Sequence, residues 1–188
     1  MAQRTIRNLC VYCASNVGDD PGYAEAAGRV GDELGRRGIG LVYGGGRVGL
    51  MGIVADQAMA GRSPVTGVIT EHLMKPELAH DGIDEMVVVA DMAERKRAMF
   101  ERADAFLTLP GGVGTMEEMF EVLCWSYLGL HPKPVGLLNT GGYYDHLIAF
   151  LDHAVEHGLC RARVRDLLVV DTDVATLLDR LCVDAARV

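Results

Sequence analysis

The sequence predicts an α/β fold in which residues 1–188 form one Rossmann-like domain, a doubly wound parallel sheet with helices on both faces. Short apolar runs alternate with stretches of helical periodicity, and this rhythm indicates βαβ units. Two of the runs end in glycine clusters that lead into helical patterns. The 188 residues suffice for one sizeable core, and no linker, low-complexity tract or block of charge divides them.

Seven short apolar runs are the candidate strands, because each is short and is followed by turn-forming or helical sequence. They are Asn8 to Tyr12, Ile39 to Tyr43, Val65 to Ile69, Met86 to Val89, Ala105 to Leu109, Val135 to Leu138 and Leu167 to Val170. Helical stretches fill most of the intervals between them. The segment from Met74 to Asp81 has only weak patterning, and we expect it to be irregular.

The second predicted strand ends in a glycine cluster, Gly44 to Gly46, and a further glycine-containing segment, Gly49 to Gly52, precedes a helical pattern. Glycines after a strand allow a ligand to approach the backbone, although a tight turn without a ligand would use the same residues. No Gly-Lys-Ser/Thr follows either glycine turn of the chain, and neither is a clean G-x-G-x-x-G at the first strand. The sequence therefore disfavours an ordinary nucleoside triphosphate or dinucleotide site.

A helix is predicted after the fourth strand, and two adjacent cations lie at its start. On a helix of 3.6 residues per turn, Arg95 and Lys96 flank the apolar stripe. The predicted buried stripe consists of Met92, Met99 and Ala103. Such cations can extend their charged ends to water. Because the helix dipole disfavours a cation near the amino end, however, we expect an anionic partner for Arg95, either a phosphate or Glu118.

The most informative stretch follows the fifth predicted strand, which ends at Pro110. Three glycines lead into a helix whose apolar spacing indicates a start near Thr115. A first helical turn has unpaired N–H groups and about half a positive charge, so a phosphate can bind there. An ordinary capping box between Thr115 and Glu118 is the alternative. In a parallel sheet, both glycine turns lie along one edge and can converge on one ligand.

These residues resemble the LONELY GUY (LOG) family from Leu9 to about Leu159. The resemblance depends on the glycine clusters described above, on Arg95-Lys96, and on the motif Pro110-Gly111-Gly112-Val113-Gly114-Thr115-Met116-Glu117-Glu118. Members are phosphoribohydrolases that cleave the base from cytokinin riboside 5′-monophosphates, and often from AMP, to give free base and ribose 5-phosphate. The resemblance implies a LOG-like nucleotide-binding hydrolase domain that acts on a nucleoside 5′-monophosphate, and we expect neither a cofactor nor a metal ion.

The resemblance also implies roles for individual residues. Arg95 and Glu118 would be the catalytic pair, and Arg95 would also contact the substrate. The other implied substrate-binding residues are Ser15, Gly45, Glu77, Lys96, Gly111, Gly112, Val113, Gly114, Thr115, Met116 and Glu117, among which Gly111, Gly112, Gly114 and Thr115 would hold the 5′-phosphate. A homodimer is implied, and we expect the helix from Thr115 to Leu128 to contribute to it. The chain departs from the family at Cys13-Ala14-Ser15-Asn16, where many members have Cys-Gly-Ser-Ser.

The expected chemistry suits these residue types. Breaking an N-glycosidic bond builds positive charge on the ribose, so a Glu118 carboxylate can stabilise the transition state and orient or deprotonate water. Arg95 can position that carboxylate or bind phosphate. A nucleotide-binding or carrier module without turnover is the main alternative. An amino-acid decarboxylase is disfavoured, because its pyridoxal phosphate would need one of only three lysines, Lys75, Lys96 and Lys133.

Composition limits the partners and the compartment. A net charge of -8 disfavours nucleic acid and anionic membranes, since both require a basic face. No apolar stretch approaches the roughly 18 residues that indicate a membrane helix, and Met1 to Asn8 lacks the apolar core of a signal peptide. The five cysteines, an odd number, suit a reducing compartment. We therefore expect a cytoplasmic protein.

Two short motifs imitate other chemistry. Cys10 and Cys13 have the spacing of a redox pair, but residues three apart in a strand point to opposite faces of the sheet. His153, Glu156 and His157 imitate a zinc signature, but the apolar stripe of their helix leaves all three on the solvated face. We expect neither a redox pair nor a zinc ion at these positions.

Overall fold

The fold is built on one sheet of seven parallel strands. The computed structural model describes residues 5–75 and 77–183, so both ends of the predicted domain lie outside the described residues. The strands are β1 (Asn8–Tyr12), β2 (Gly40–Tyr43), β3 (Val65–Thr70), β4 (Glu85–Val89), β5 (Ala105–Thr108), β6 (Val135–Leu138) and β7 (Leu168–Asp171). The helices are α1 (Pro21–Arg37), α2 (Gly49–Ala60), α3 (Met92–Arg102), α4 (Val113–Tyr127), α5 (Asp145–Glu156), α6 (Ala162–Leu167) and α7 (Val174–Val183).

The strand order β4-β3-β2-β1-β5-β6-β7 places a switch point between β1 and β5. The chain adds strands on one side of β1 as far as β4, crosses back, and adds the remaining strands on the other side. Ligands of open α/β sheets bind beyond the carboxyl ends of the strands at such a point. The loops that follow β1 and β5 are therefore the expected walls of a site.

Each face of the sheet carries its own apolar core. One core contains side chains of α1, α2 and α7, and the other contains side chains of α3, α4 and α5. Cys13 belongs to the first core and Cys10 to the second. The two thiols therefore lie on opposite faces of the sheet, as their strand positions predict.

The seven predicted strands are all present, and each end lies within one residue of its prediction. Two details of the helices are wrong. The helix expected to start near Thr115 begins at Val113, because Gly112 is its N-cap and the apolar spacing detects only the buried face that comes later. Met92, expected in a buried stripe, is 40% exposed, because it is the first residue of α3 and lines a cleft.

The segment expected to be irregular lies against the glycine cluster after β2. An isolated bridge joins Gly46 to Ala79, and the His80 N–H donates to the Gly45 carbonyl over 2.9 Å. The segment contains neither helix nor strand in its described residues, and Pro76 lies outside them.

No helix in the described part of the chain has the length and apolar character needed to cross a membrane.

Candidate active site

A cavity of about 390 Å³ lies at the switch point, where the loops after β1 and β5 meet the starts of α3 and α4. It is lined by Cys13, Ala14, Ser15, Asn16, Met51, Leu73, Met92, Arg95, Gly112, Val113, Gly114, Thr115, Glu117 and Glu118. The lining combines polar groups from α3 and α4 with three long apolar side chains. These three are Met51, Leu73 and Met92.

The start of α4 forms one wall of the cavity. The helix begins at Val113, and its N-cap, Gly112, supplies no capping side chain. The N–H groups of Val113, Gly114 and Thr115 lie in the first turn, where no helical carbonyl can pair with them. A Cβ added to Gly112 or Gly114 would meet no heavy atom within 4 Å, so the backbone here is open. This arrangement suits an anion such as phosphate.

The capping-box alternative for Thr115 and Glu118 is wrong. Because the helix starts before Thr115, this residue is not the N-cap, and no side chain caps the helix. Glu118 instead faces α3, where its Oε1 accepts a hydrogen bond from Nη1 of Arg95 over 3.2 Å. Both side chains are only 11% exposed, so they form a nearly buried ion pair at the wall of the cavity.

Arg95 is fixed by three separate parts of the fold. Its Nε donates to the Val68 carbonyl in β3 over 2.9 Å, and its Nη2 donates to the Gly44 carbonyl after β2 over 3.2 Å. A Cβ at Gly44 would collide with Nη2. The absence of a side chain at Gly44 therefore makes room for the guanidinium, a use of the Gly44 to Gly46 cluster that the sequence does not reveal. With Glu118, these contacts leave Arg95 little freedom to rotate.

The environment of Glu118 shifts its protonation equilibrium. Burial raises the pKa of Glu118 above its ordinary value, although the charge of Arg95 opposes this shift. Nearby Glu117 raises the pKa further. Such a raised pKa, at a carboxyl group that lines a cavity, is typical of catalytic acids and bases.

Lys96 lies outside the residues that line the cavity. Its Nζ donates to Oε1 of Glu117 and, over 2.9 Å, to Oε1 of Glu121. The hydrogen bond with Glu117 is the largest of the effects that raise the pKa of Lys96. Lys96 therefore joins α3 to α4 beside the Arg95–Glu118 pair, and its implied contact with substrate stays a prediction.

The cavity brings together most of the residues expected at the site, but not all of them. Gly45, Glu77, Lys96, Gly111 and Met116 are absent from its described lining. Glu77 is exposed on the segment that packs against Gly46, and Gly111 lines an adjoining cavity of about 280 Å³. Sequence reasoning missed Cys13, Ala14, Asn16, Met51 and Leu73, and it assigned Met92 to the core. For Cys13, Ala14 and Asn16, the only available signal was the position of the loop after β1 at a switch point of the sheet.

Two other kinds of chemistry fit the site poorly. Burial raises the pKa of Cys13, so this thiol stays protonated and is a weak nucleophile. A pyridoxal phosphate group would need a free lysine, but none of the three lysines, all within the described residues, lines the cavity. Lys96 is bound to two carboxylates, and Nζ of Lys133 donates to the Phe100 carbonyl over 2.6 Å.

One group of side chains in the described chain could offer three ligand atoms to a metal ion. It consists of His153, Glu156 and His157, whose ligand atoms lie within 4.8 Å of one another. All three residues are exposed, as predicted, and none lines the cavity. The expectation that no metal binds there stays a prediction.

The chain is similar to several known proteins. A family described as "Possible lysine decarboxylase" matches residues 51–181. The chain is 47% identical over 175 residues to the cytokinin riboside 5'-monophosphate phosphoribohydrolase LOG7 of Arabidopsis thaliana, across 93% of this chain and 81% of that protein. It is 46% identical over 173 residues to the probable cytokinin riboside 5'-monophosphate phosphoribohydrolase LOGL1 of Oryza sativa subsp. japonica, across 92% and 78%.

A solved structure resembles the fold as a whole. The Moco carrier protein from Chlamydomonas reinhardtii superposes with a TM-score of 0.70 over 96% of this chain and 98% of that chain, at 20% sequence identity. At this level of identity, the likeness shows a common fold and carries no statement about the ligand.

Proposed function

Because the chain belongs to the LOG family, whose members include phosphoribohydrolases 44–47% identical to it, we propose that it is a phosphoribohydrolase. The reaction is hydrolysis of the N-glycosidic bond of cytokinin riboside 5′-monophosphates, and of AMP, to free base and D-ribose 5-phosphate. The observation that carries the proposal is the nearly buried Arg95–Glu118 pair, which lies in one cavity with the open start of α4.

The cavity supports a definite orientation of the nucleotide. The phosphate lies at the first turn of α4, where unpaired N–H groups and the helix dipole favour an anion. The base lies against the apolar side of the cavity, formed by Met51, Leu73 and Met92. The ribose then lies between the two, with its C1′ atom near Glu118. This orientation places the scissile bond beside the one carboxylate that Arg95 holds in place.

Glu118 has two roles in this mechanism. As a carboxylate, it stabilises the positive charge that develops on the ribose, and it orients the attacking water and accepts its proton. Arg95 favours the ionised carboxylate by opposing the effect of burial on its pKa. The three fixed hydrogen bonds of Arg95 hold this pair ready before the substrate binds.

The proposed function is tested by incubating the purified protein with AMP and, separately, with isopentenyladenosine 5′-monophosphate. Chromatography then measures the free base, and adenosine is the control that lacks the phosphate. We expect free base from the monophosphates only. Binding of the nucleotides without release of base would instead indicate a carrier module.

A single methyl group at the start of α4 should weaken binding of the monophosphates. We expect Gly114→Ala to raise KM by at least on the order of tenfold, because the methyl group enters the space next to the unpaired N–H groups. The fold should tolerate it, since a Cβ at Gly114 meets no heavy atom within 4 Å. Steady-state kinetics and thermal unfolding measure the two effects.

The matched control for this substitution is Gly28→Ala. Gly28 lies in α1, and a Cβ there also meets nothing within 4 Å. This control should keep the KM of the unaltered protein. If Gly114→Ala kept that KM as well, the phosphate would not bind at the start of α4.

We also propose that residues 1–188 act as one such domain and that two copies form a homodimer through α4. Support comes from the outer side of this helix, where apolar residues recur at helical spacing and stay exposed. Cys124 is exposed, and Leu128, one turn further on at the end of the helix, is 61% exposed. An apolar stripe of this kind is typical of an interface between subunits.

Leu128→Arg should convert the proposed dimer to monomers, because it places a charge in the contact. Sedimentation equilibrium at micromolar concentration measures the mass directly. Leu159→Arg is the control, since Leu159 is 88% exposed but lies in the turn after α5. A monomeric unaltered protein, or a dimer that survives Leu128→Arg, would contradict this interface.

We further propose a cytoplasmic location. All five cysteines are free thiols, and free thiols persist in a reducing compartment. The acidic net charge supports the proposal that a small nucleotide, rather than nucleic acid, is the partner.

A further inference from the structure

Two consecutive tyrosines, Tyr143 and Tyr144, lie behind the loop that precedes α4. They follow a sharp turn in which Gly141 and Gly142 have φ angles of 59° and 74°, in the left-handed region that favours glycine. A Cβ on Gly142 would lie 2.6 Å from a carboxylate oxygen of Asp145. The turn directs both tyrosine side chains towards the end of β5.

Each tyrosine hydroxyl donates a hydrogen bond to a backbone carbonyl near the end of β5. Tyr144 is buried and donates to the Leu109 carbonyl over 2.6 Å, whereas Tyr143 donates to the Gly111 carbonyl over 2.9 Å. Burial raises the pKa of Tyr144, so its hydroxyl keeps the proton that it donates. The carbonyl between these two, on Pro110, accepts from the loop after β1 over 3.1 Å. The three successive carbonyls of Leu109, Pro110 and Gly111 are therefore each fixed by a hydrogen bond.

The contact with Gly111 has a consequence on the opposite side of the loop. The Gly111 carbonyl and the Gly112 N–H belong to the same planar trans peptide, so they point in opposite directions. A hydrogen bond that fixes the carbonyl also fixes the direction of the N–H group. Gly112 lines both the cavity of the proposed active site and the adjoining cavity of about 280 Å³, whereas Tyr143 lines only the adjoining one.

We infer that Tyr143 is a positioning residue for phosphate binding, which acts through the Gly111–Gly112 peptide, and that Tyr144 anchors the same loop. The inference rests on the proposed function, because it assigns the phosphate of the nucleotide to the start of α4. Tyr143 acts from outside the site, so its hydroxyl should affect binding of the phosphate and leave the bond-breaking step unchanged.

Tyr143→Phe removes this hydroxyl and keeps the ring. We expect the Kd for ribose 5-phosphate and the KM for AMP each to rise on the order of five- to tenfold, the effect of one lost hydrogen bond. The kcat should stay within about twofold of the unaltered protein, because the lost contact contributes to binding alone. Calorimetric titration gives the Kd without any turnover, and steady-state kinetics gives the other two constants.

Tyr23→Phe is the matched control. Tyr23 lines the same adjoining cavity, and its ring lies 5.3 Å from that of Tyr143 between centroids. Loss of the Tyr23 hydroxyl should change neither the Kd for ribose 5-phosphate nor the KM for AMP.

Because Tyr144→Phe leaves a buried carbonyl unpaired, it should lower the melting temperature, whereas Tyr143→Phe should not.

The outcomes separate this inference from the proposed function. An unaltered protein that binds ribose 5-phosphate but releases no base would overturn the function, while the effect of Tyr143→Phe on Kd still decides the inference. An unchanged Kd in Tyr143→Phe would overturn the positioning role. The positioning role would also be overturned if Tyr143→Phe lowered kcat and the melting temperature without a selective loss of binding. Failure of the unaltered protein to bind ribose 5-phosphate would overturn it as well.

Discussion

Glu118→Gln should lower kcat/KM for AMP by at least on the order of a hundredfold while the protein stays folded. Glutamine has nearly the same shape, and its oxygen can still accept the hydrogen bond from Arg95. It lacks the negative charge that stabilises the developing charge on the ribose, and it cannot accept a proton from water. Steady-state kinetics measures the loss of activity. Calorimetry measures nucleotide binding, which should persist in the variant.

The same substitution should raise or maintain stability near neutral pH. Burial raises the pKa of Glu118 in the folded protein above the value in the unfolded chain, so ionising this group opposes folding. This destabilisation is fully present at pH values above the pKa of Glu118 in the folded protein. It disappears as the pH falls through that pKa towards the lower pKa of Glu118 in the unfolded chain. Glutamine removes it. Thermal unfolding of both proteins across this range of pH measures the difference.

The raised pKa also predicts the pH dependence of activity in the unaltered protein. The acid limb of kcat/KM should have its midpoint above about 4.3, the ordinary pKa of glutamate. Glu121→Gln is the matched control, because Glu121 lies one turn further along α4 and pairs with Lys96. This control should keep its activity. A Glu118→Gln variant within about tenfold of full activity would remove Glu118 from the mechanism.

Arg95→Ala should reduce both activity and stability. It leaves the Glu118 carboxylate nearly buried and unpaired, a change that costs on the order of 3 kcal/mol in the free energy of unfolding. The pKa of Glu118 should rise further without the guanidinium, so the acid limb of the activity should move to higher pH. We expect kcat/KM to fall by at least on the order of a hundredfold. Denaturant unfolding and pH–rate profiles measure these effects.

Two further variants show whether Arg95 acts through Glu118. Arg95→Lys should rescue little activity, because an ammonium cannot reproduce the planar fork that reaches Val68, Gly44 and Glu118 together. The double variant Arg95→Ala/Glu118→Gln should be more stable than Arg95→Ala, since no unpaired charge remains. Equal stability of the two would contradict the coupling.

The strands of this fold were predictable because their signal is local. Each apolar run is short, and the central strands are buried on both faces of the sheet, so periodicity and length suffice to find them. The edge strand β4 is partly exposed, but its run of valines still marks it. The start of α4 was misplaced by the same method, since Val113 and Gly114 belong to the first turn but not to the buried face. Helix starts built on glycine carry little periodic signal.

The candidate site was only partly predictable, because its walls come from segments far apart in sequence. The motif from Pro110 to Glu118 and the cation Arg95 indicated an anion site and an ion pair. The cavity contains the ion pair and the open start of α4, and the anion site stays a prediction. Nothing in the sequence indicates that Met51 and Leu73 line the same cavity, since their positions depend on how the loops pack. The Lys96 side chain pairs with two glutamates of α4, a contact that helical periodicity in α3 cannot show.

Gly44 lies against two parts of the site at once. A Cβ at this position would meet the guanidinium of Arg95 on one side and, at 3.1 Å, the sulfur of Met51 on the other. One added methyl group would therefore displace both the group that orients Glu118 and the apolar wall assigned to the base. In the proposed orientation of the nucleotide, we expect a substitution at position 44 to change the preference for the base and the rate together. We expect selection for new bases to act elsewhere in the wall, at Leu73 or Met92.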